Sequence, residues 1–355
     1  METRVVMSRR LALFAVAVAA AVLPPRPVLG AVATAAAADD ASPGCTRQCG
    51  NISIPHPFGV EHGCFLPGLN VTCRNGTELF LGDGTVQVLE ISIQNATVRI
   101  NASSAYFPGS NNSHSKPSGT WSGALGDGGA YTLAWGRNIL LAFGCNVQVF
   151  LVGDRSRTLS TCAALCDWDE HENTWFFRSP ELLFSGIGSC QASILTARSS
   201  YGINALWLNG STGPSHMSET DIWIVDSEFL SSFVDYGTYL TTSLPAVLDW
   251  RINHTICHDN ASSAACRSSH SSCKNATDSG PVAHVCNCAQ GYQGNPYVPD
   301  GCRDINECDD PETYPCHGNC KNTEGGYECH CLPGFTGNAS IPNGCKGMKV
   351  AKLAC

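Results

Sequence analysis

Through the middle of the chain, apolar and polar residues alternate in short runs with turn-forming clusters between them. Val86–Ile93, Ala96–Ile100, Ile139–Phe143 and Val147–Val152 are β-rich stretches divided by Gly, Asn, Pro and Ser. Short β-branched and apolar runs bounded by turn residues predict strands; an amphipathic helix would repeat its apolar positions every three to four residues. Trp207 and the run Ile222, Trp223, Ile224, Val225 predict further strands, whereas Leu230–Leu240 fits helix or strand equally. Ile139 to Val152 is the most apolar internal segment, but Gly144, Asn146 and Gln148 interrupt it. It reads as strand, not as a membrane span.

One apolar run is of a different kind. Leu11 to Leu23 is unbroken, follows Arg9 and Arg10, and is closed by Pro24, Pro25 and Pro27. A basic start, an apolar middle and a small-residue exit predict a secretory signal peptide over residues 1–30. Its 13 apolar residues fall short of the ~20 a spanning helix needs. The cut position is open, because Gly30 to Ala38 offers several small-x-small sites. Left uncut, the segment would tether the chain to a membrane. No later segment reaches spanning length, and the C-terminus lacks the hydrophobic tail of a lipid-anchor signal.

Composition places the mature chain outside the cell. Of 355 residues 21 are cysteine, a density that a reducing cytosol does not favour. Sequons fall at Asn51, Asn70, Asn75, Asn95, Asn101, Asn111, Asn209, Asn253, Asn260, Asn275 and Asn338, and a glycosylated asparagine must lie on the surface. The formal net charge is −9. Arg4, Arg9, Arg10 and Arg26 against Glu2 put +3 in the leader, so the remainder stands at −12. An acidic remainder lacks the clustered Lys/Arg that phosphate contacts require, and no nucleic-acid partner is expected.

The cysteines fall into sets of eight (Cys45 to Cys190), six (Cys257 to Cys302) and six (Cys308 to Cys345), with Cys355 left over. The two sets of six repeat one another. Cys286, Cys288, Gly291, Tyr292, Gly294, Asn295, Gly301 and Cys302 recur 43 positions later as Cys329, Cys331, Gly334, Phe335, Gly337, Asn338, Gly344 and Cys345. About 40 residues bury too little apolar surface to fold without staples. Spacing alone leaves fifteen pairings per set. Zinc is the rival reading, but C-x-x-C ligand pairs are absent and the compartment is oxidising. The pattern C-x-C-x2-G-[YF]-x-G resembles the EGF-like module. That resemblance implies Cys257–Cys273, Cys266–Cys286 and Cys288–Cys302, then Cys308–Cys320, Cys316–Cys329 and Cys331–Cys345. Pairing within Cys45 to Cys190 stays open.

The sharpest chemical motif opens the second set. Asp304-Ile305-Asn306-Glu307-Cys308 precedes Cys320-Lys321-Asn322-Thr323, with Gly325, Gly326, Tyr327 and Cys329 after it. Calcium takes six to eight oxygens from carboxylates, amides and backbone carbonyls. The segment resembles calcium-binding EGF-like modules at every diagnostic position. The resemblance implies side-chain ligands from Asp304, Glu307 and Asn322, and backbone carbonyls from Ile305, Thr323 and Gly326. Asn322 also stands where this subclass is sometimes β-hydroxylated. The first module lacks the acidic entry and the hairpin amide, so no metal is expected there.

Near the start of the mature chain, Cys45-Thr46-Arg47-Gln48-Cys49-Gly50-Asn51-Ile52-Ser53-Ile54-Pro55-His56-Pro57-Phe58-Gly59 runs on to Gly63-Cys64-Phe65 and Val71-Thr72-Cys73. This resembles the galacturonan-binding domain that opens plant wall-associated receptor kinases, with His56 in place of the usual Tyr. Phe143-Gly144-Cys145-Asn146, Gly186 to Gln191, Leu244 to Trp250 and Gly294-Asn295-Pro296-Tyr297 are similar to later signatures of the same ectodomains. The resemblance covers roughly residues 42 to 348. Ser189-Cys190 stands where the family shows a double cysteine, and an upstream cysteine is also missing, which fits loss of one whole disulfide. The family continues into a transmembrane helix and a Ser/Thr kinase. This sequence ends ten residues after Cys345, without a spanning helix or a kinase motif.

Charge bears on the implied ligand, pectin or its oligogalacturonides. Residues 39–165 hold seven Lys/Arg against eight Asp/Glu, while residues 166–250 hold two against eleven. Only the earlier part is expected to present arginine forks to galacturonate carboxylates; otherwise calcium must bridge. Arg47, His56 and Arg74 are the candidate contacts. Asp167, Asp169, Glu170, His171 and Glu172 read first as a solvated acidic loop, with cation binding as the alternative, and no nucleophile elbow or zinc-protease pair is present. The expected fold is mainly β and disulfide-rich. A β-rich N-terminal carbohydrate-binding domain spans residues 42–250 (core about 45–105), then EGF-like modules at 257–302 and 304–345, then a short tail at 346–355. The expected function is non-catalytic polysaccharide and calcium binding by a secreted glycoprotein of the plant cell wall, with membrane receptor kinases or other wall proteins as further partners. The alternatives are protein-ligand binding through the EGF-like pair, or a truncated product of a receptor kinase gene.

Overall fold

A computed structural model describes residues 44–107, 129–153, 157–166, 186–199, 201–208, 220–233, 243–257, 264–276 and 282–347. The expected signal segment, the acidic cluster at 167–172, the sequon residues Asn111, Asn209 and Asn260, and Cys355 lie outside these. Among the described residues, no helix is long and apolar enough to cross a membrane.

The alternating runs form antiparallel strands, and the fold is mainly β and disulfide-rich. A six-stranded sheet has the order Val71–Arg74, Glu78–Leu81, Val86–Ser92, Thr97–Ser103, Ser243–Trp250, Tyr131–Leu133. A four-stranded sheet runs Ser189–Ser193, Asn138–Phe143, Thr220–Asp226, Ala105–Phe107, and a three-stranded one Thr158–Ala164, Val147–Val152, Gly202–Trp207. A strand with one buried face alternates inward and outward side chains. Val147, Val149 and Leu151 accordingly point into the main core, as do Val98, Ile100 and Ala102.

The strand Thr220–Asp226 is buried on both faces. Ile222 and Ile224 join the main core, while Trp223 and Val225 join Leu141, Leu230 and Leu244 in a second cluster. Leu230 comes from the short helix Ser227–Phe233, which takes the first part of the ambiguous Leu230–Leu240 run. Asp226 starts this helix, its Oδ1 accepting the Glu228 N–H at 3.1 Å, as an N-cap does. Arg99 pairs with the other oxygen at 3.3 Å. Buried Asn138 ties the two larger sheets together: its amide donates to the Val247 carbonyl (2.8 Å) and accepts the Val247 N–H (2.9 Å).

Disulfides join Cys45 to Cys64, Cys49 to Cys73, Cys145 to Cys166 and Cys162 to Cys190. Beyond Trp250 they join Cys257 to Cys273, Cys266 to Cys286, Cys288 to Cys302, Cys308 to Cys320, Cys316 to Cys329 and Cys331 to Cys345. Two small hairpins follow the same plan: Ser271–Asn275 with Ala283–Cys288, and Asn319–Thr323 with Gly326–His330.

The first of these hairpins is not separate from the sheets. Ile252–Asn253 pairs with Ala283 and His284, extending the hairpin by a third strand. Trp250, at the end of its strand, meets Phe58 edge-on at 5.0 Å and Tyr297 at 5.5 Å. All three rings are buried, and Cys286 and Tyr297 belong to the same hydrophobic cluster as the sheets. The Tyr297 hydroxyl accepts the Cys286 N–H at 2.8 Å, and Asn295 donates to the His56 carbonyl at 2.6 Å. Replacing Tyr297 with Ala removes a buried ring and is expected to cost about 3–5 kcal/mol. Tyr297→Phe leaves the Cys286 N–H unsatisfied and should cost about 1–3 kcal/mol. Urea unfolding followed by tryptophan fluorescence measures both, with the larger loss expected for Ala.

Candidate functional site

Two places concentrate the candidate residues. The first is the stretch that opens the described chain. Cys49–Cys73 pins it to the strand Val71–Arg74, Cys45–Cys64 closes it on the segment before that strand, and Gln48–Cys49 pairs with Ile52–Ser53. Within Ile54-Pro55-His56-Pro57-Phe58-Gly59, Ile54 and Phe58 are fully buried, and the His56–Pro57 peptide is cis. A Cβ on Gly59 would sit 2.5 Å from the Cys64 carbonyl oxygen, so no larger residue fits there. The motif is a core plug, and its His56 main chain faces Asn295.

The basic candidates have different partners. The Arg47 carbonyl accepts the Ile54 N–H at 2.8 Å. Thr46 donates through its N–H and its hydroxyl to the Glu61 carboxylate. These bonds hold Glu61 below its ordinary pKa, with a smaller contribution from the Arg47 charge. Arg74 is exposed; its guanidinium lies 4.2 Å above the Phe80 ring and donates to the Gly84 carbonyl at 2.6 Å. Stacking and one hydrogen bond fix the fork before any ligand arrives, which lowers the entropy lost on binding a carboxylate.

The second place is the joint between the two small modules. The strand Cys302–Asp304 pairs with Tyr292–Gly294, which sets Asp304 opposite Tyr292. The Asp304 carboxylate then accepts from the Asn322 amide at 2.7 Å and from the Gly325 N–H. Thr323 pairs with Gly326 across the hairpin, its hydroxyl donating to the Gly326 carbonyl at 2.8 Å. Glu307 opens a turn of 3-10 helix, Glu307–Asp309, packed on the same hairpin. The structure therefore gathers Asp304, Glu307, Asn322, Thr323 and Gly326 about one turn. Ile305 is anchored to the first module by its N–H, which donates to the Gly291 carbonyl at 2.9 Å.

Glu307 tests whether this donor set fits a hard cation. It is 3% exposed, and its Oε2 meets no hydrogen-bond donor. An ionised carboxylate buried without a partner is costly. A divalent cation would satisfy it, and carboxylate, amide and carbonyl oxygens are the donors calcium takes. The residues fit calcium. A different metal grouping does not hold up: Cys266, Cys273 and His284 bring ligand atoms within 4.8 Å of one another, but both sulfurs are spent in disulfides.

Around the joint, His270 stacks on Tyr292 at 4.0 Å and lies 3.6 Å from Glu324. Burial, then the Glu324 and Asp304 charges, push the Tyr292 hydroxyl up. A Cβ on Gly291 would fall 2.2 Å from the Gly325 carbonyl oxygen, and Gly291 has φ +82°. Sequon residues Asn51, Asn75, Asn95, Asn275 and Asn338 are exposed, whereas Asn70, Asn101 and Asn253 are half-buried. Sequence reasoning did not single out Tyr297 or Asn295 as junction residues, because their partners lie far away in the chain.

Residues 45–102 match the family described as wall-associated receptor kinase galacturonan-binding, and residues 304–346 match the calcium-binding EGF domain. Along most of its length the chain is similar to wall-associated receptor kinases. Wall-associated receptor kinase 2 of Arabidopsis thaliana is 29% identical over 293 residues, covering 80% of this chain and 37% of that protein. Wall-associated receptor kinase 3 of the same plant is 28% identical over 308 residues, covering 80% and 39%. The chain thus spans about two fifths of the length of the curated relatives it matches.

The glycine contact at the joint yields a direct test. Gly291→Ala adds a methyl group against backbone at a left-handed position, a strain expected to cost about 1–3 kcal/mol. The nuclear Overhauser contact between Gly325 and the Tyr292 ring should disappear in the variant while the first module's hairpin contacts persist.

Proposed function

We propose that this chain is a non-catalytic extracellular binding protein of the plant cell wall that holds de-esterified pectic galacturonan through its N-terminal region. The observation that carries the reading is the match of residues 45–102 to the galacturonan-binding family. The geometry adds an exposed arginine, Arg74, already fixed by Phe80 and Gly84. Each de-esterified galacturonate offers a carboxylate, and a guanidinium fork suits a carboxylate in two parallel hydrogen bonds. Arg47 and His56 remain assigned to the same surface in this reading.

Calcium is the second ligand. Asp304, Glu307 and Asn322 would hold it with the carbonyls of Ile305, Thr323 and Gly326. The ion would supply the charge that the buried Glu307 carboxylate lacks and stiffen the joint between the modules. Sequons at exposed asparagines and the ten disulfides among the described residues support an extracellular setting.

A second reading has one observation in its favour. Leu332, Phe335 and Ile341 of the last module are 54%, 48% and 53% exposed, and exposed apolar side chains in one module suit a protein ligand.

Titrating the full secreted chain with de-esterified and fully methyl-esterified galacturonan, with calcium and with chelator, tests the first assignment. Preference for the de-esterified polymer should survive chelation, and Arg74→Gln should weaken it about three- to tenfold, as loss of one charge-assisted contact does. Absence of binding to either polymer would remove the assignment. For calcium, Asp304→Asn and Glu307→Gln should each lower affinity at least about tenfold by calorimetry, since affinity tracks ligand charge. Unchanged calcium affinity in both variants would dismiss this donor set.

A further inference from the structure

Beside the edge strand Tyr131–Leu133 the structure holds an open groove of about 600 Å³. Its size falls within the ~300–1,000 Å³ typical of small-ligand sites. One wall is the turn after that strand, with Trp135, together with the segment Leu195 to Arg198. The other wall is the end of the strand Ser243–Trp250 and the following Arg251. Backbone hydrogen bonds set both walls: Leu133 N–H to the Arg198 carbonyl (3.0 Å), Gly136 N–H to Ile194 (3.1 Å) and Arg251 N–H to Ala130 (2.9 Å). A ligand entering here would meet a shape already formed.

Trp135 is 65% exposed and Leu195 62%, and both line the groove. Trp250 and Arg251 lie at the base, 1% and 5% exposed. The groove's charged residues are Arg198 and Arg251 against Asp249, a local cationic excess on a chain of net charge −9. A flat exposed indole offers a stacking surface for the C–H face of a sugar ring, and arginine suits its carboxylate. Asp249 is an acceptor for sugar hydroxyls.

We propose that this groove is a second subsite for an acidic oligosaccharide, with a uronate ring on Trp135 and its carboxylate toward Arg198 and Arg251. Apart from Asn95 and Ala96, its lining comes from strands and loops beyond residue 102, which the galacturonan-binding family match does not reach. The proposal rests on the galacturonan reading above and adds a location to it. Two subsites on one compact unit would bind a long chain more tightly than either alone, because the second contact becomes intramolecular.

The test uses the full secreted chain, untreated and enzymatically deglycosylated, since the sequon residue Asn95 lines the rim. A de-esterified oligogalacturonide is titrated calorimetrically into the unaltered chain and into Trp135→Ala, Arg198→Gln and Arg74→Gln, with circular dichroism confirming the fold. Trp135→Ala should weaken binding about tenfold, as loss of an aromatic hot spot does. Arg198→Gln should weaken it for the de-esterified ligand and leave any binding of the methyl-esterified one unchanged. If both groove variants bind like the unaltered chain while Arg74→Gln weakens, the groove proposal falls and the galacturonan reading stands. If the unaltered chain binds no oligogalacturonide, both fall together.

Discussion

Three buried rings hold the molecule's two kinds of structure in one core. Phe58 comes from the disulfide-pinned opening stretch, Trp250 from the six-stranded sheet and Tyr297 from the first small module. A module of about 40 residues ordinarily relies on its disulfides because it has little apolar surface to bury. Here it also borrows a core from the sheets. The indole N–H of Trp250 donates to the Ser92 carbonyl at 3.2 Å, so even the polar edge of the central ring is satisfied. Buried aromatic groups of this size dominate packing energetics, and the placements of the opening stretch and of the groove both follow from where Trp250 sits.

The second module is attached on a different principle. Its contact with the first runs through backbone and charge: the close approach of Gly291 and Gly325, the Asp304 hydrogen bonds, and the Ile305 N–H. Its own surface leaves Leu332, Phe335 and Ile341 exposed, so little apolar burial holds it. Buried Glu307, whose Oε2 meets no hydrogen-bond donor, sits in this weaker joint. Polar joints of this kind respond strongly to a bound cation, whereas the aromatic junction does not.

Local order was readable from the sequence. The runs Val86–Ile93, Ile139–Phe143 and Val147–Val152 lie on the strands Val86–Ser92, Asn138–Phe143 and Val147–Val152, because strand alternation is a property of neighbours. The helix Ser227–Phe233 was not, since its apolar Leu230 meets partners from other strands. Nor was the pairing among Cys45 to Cys190, which depends on how distant segments stack. Charge counting along the chain gave residues 166–250 an acidic character, and this hid Arg198, which folding brings to the same groove as Arg251. Trp135 carried no local signal at all. A motif such as Ile54 to Gly59 announced a family resemblance, yet its physical work is to fill the core, which only the partners of Phe58 and Gly59 reveal.

The shared core has a mechanical meaning. A polymer pulling on the sheets would load the first module through packed rings and paired strands, with no swivel between them. Extension under tension would begin instead at the glycine-to-glycine joint before Glu307, where hydrogen bonds rather than buried area resist it. Among the described residues that joint is the compliant element, and a cation bound there would set its stiffness.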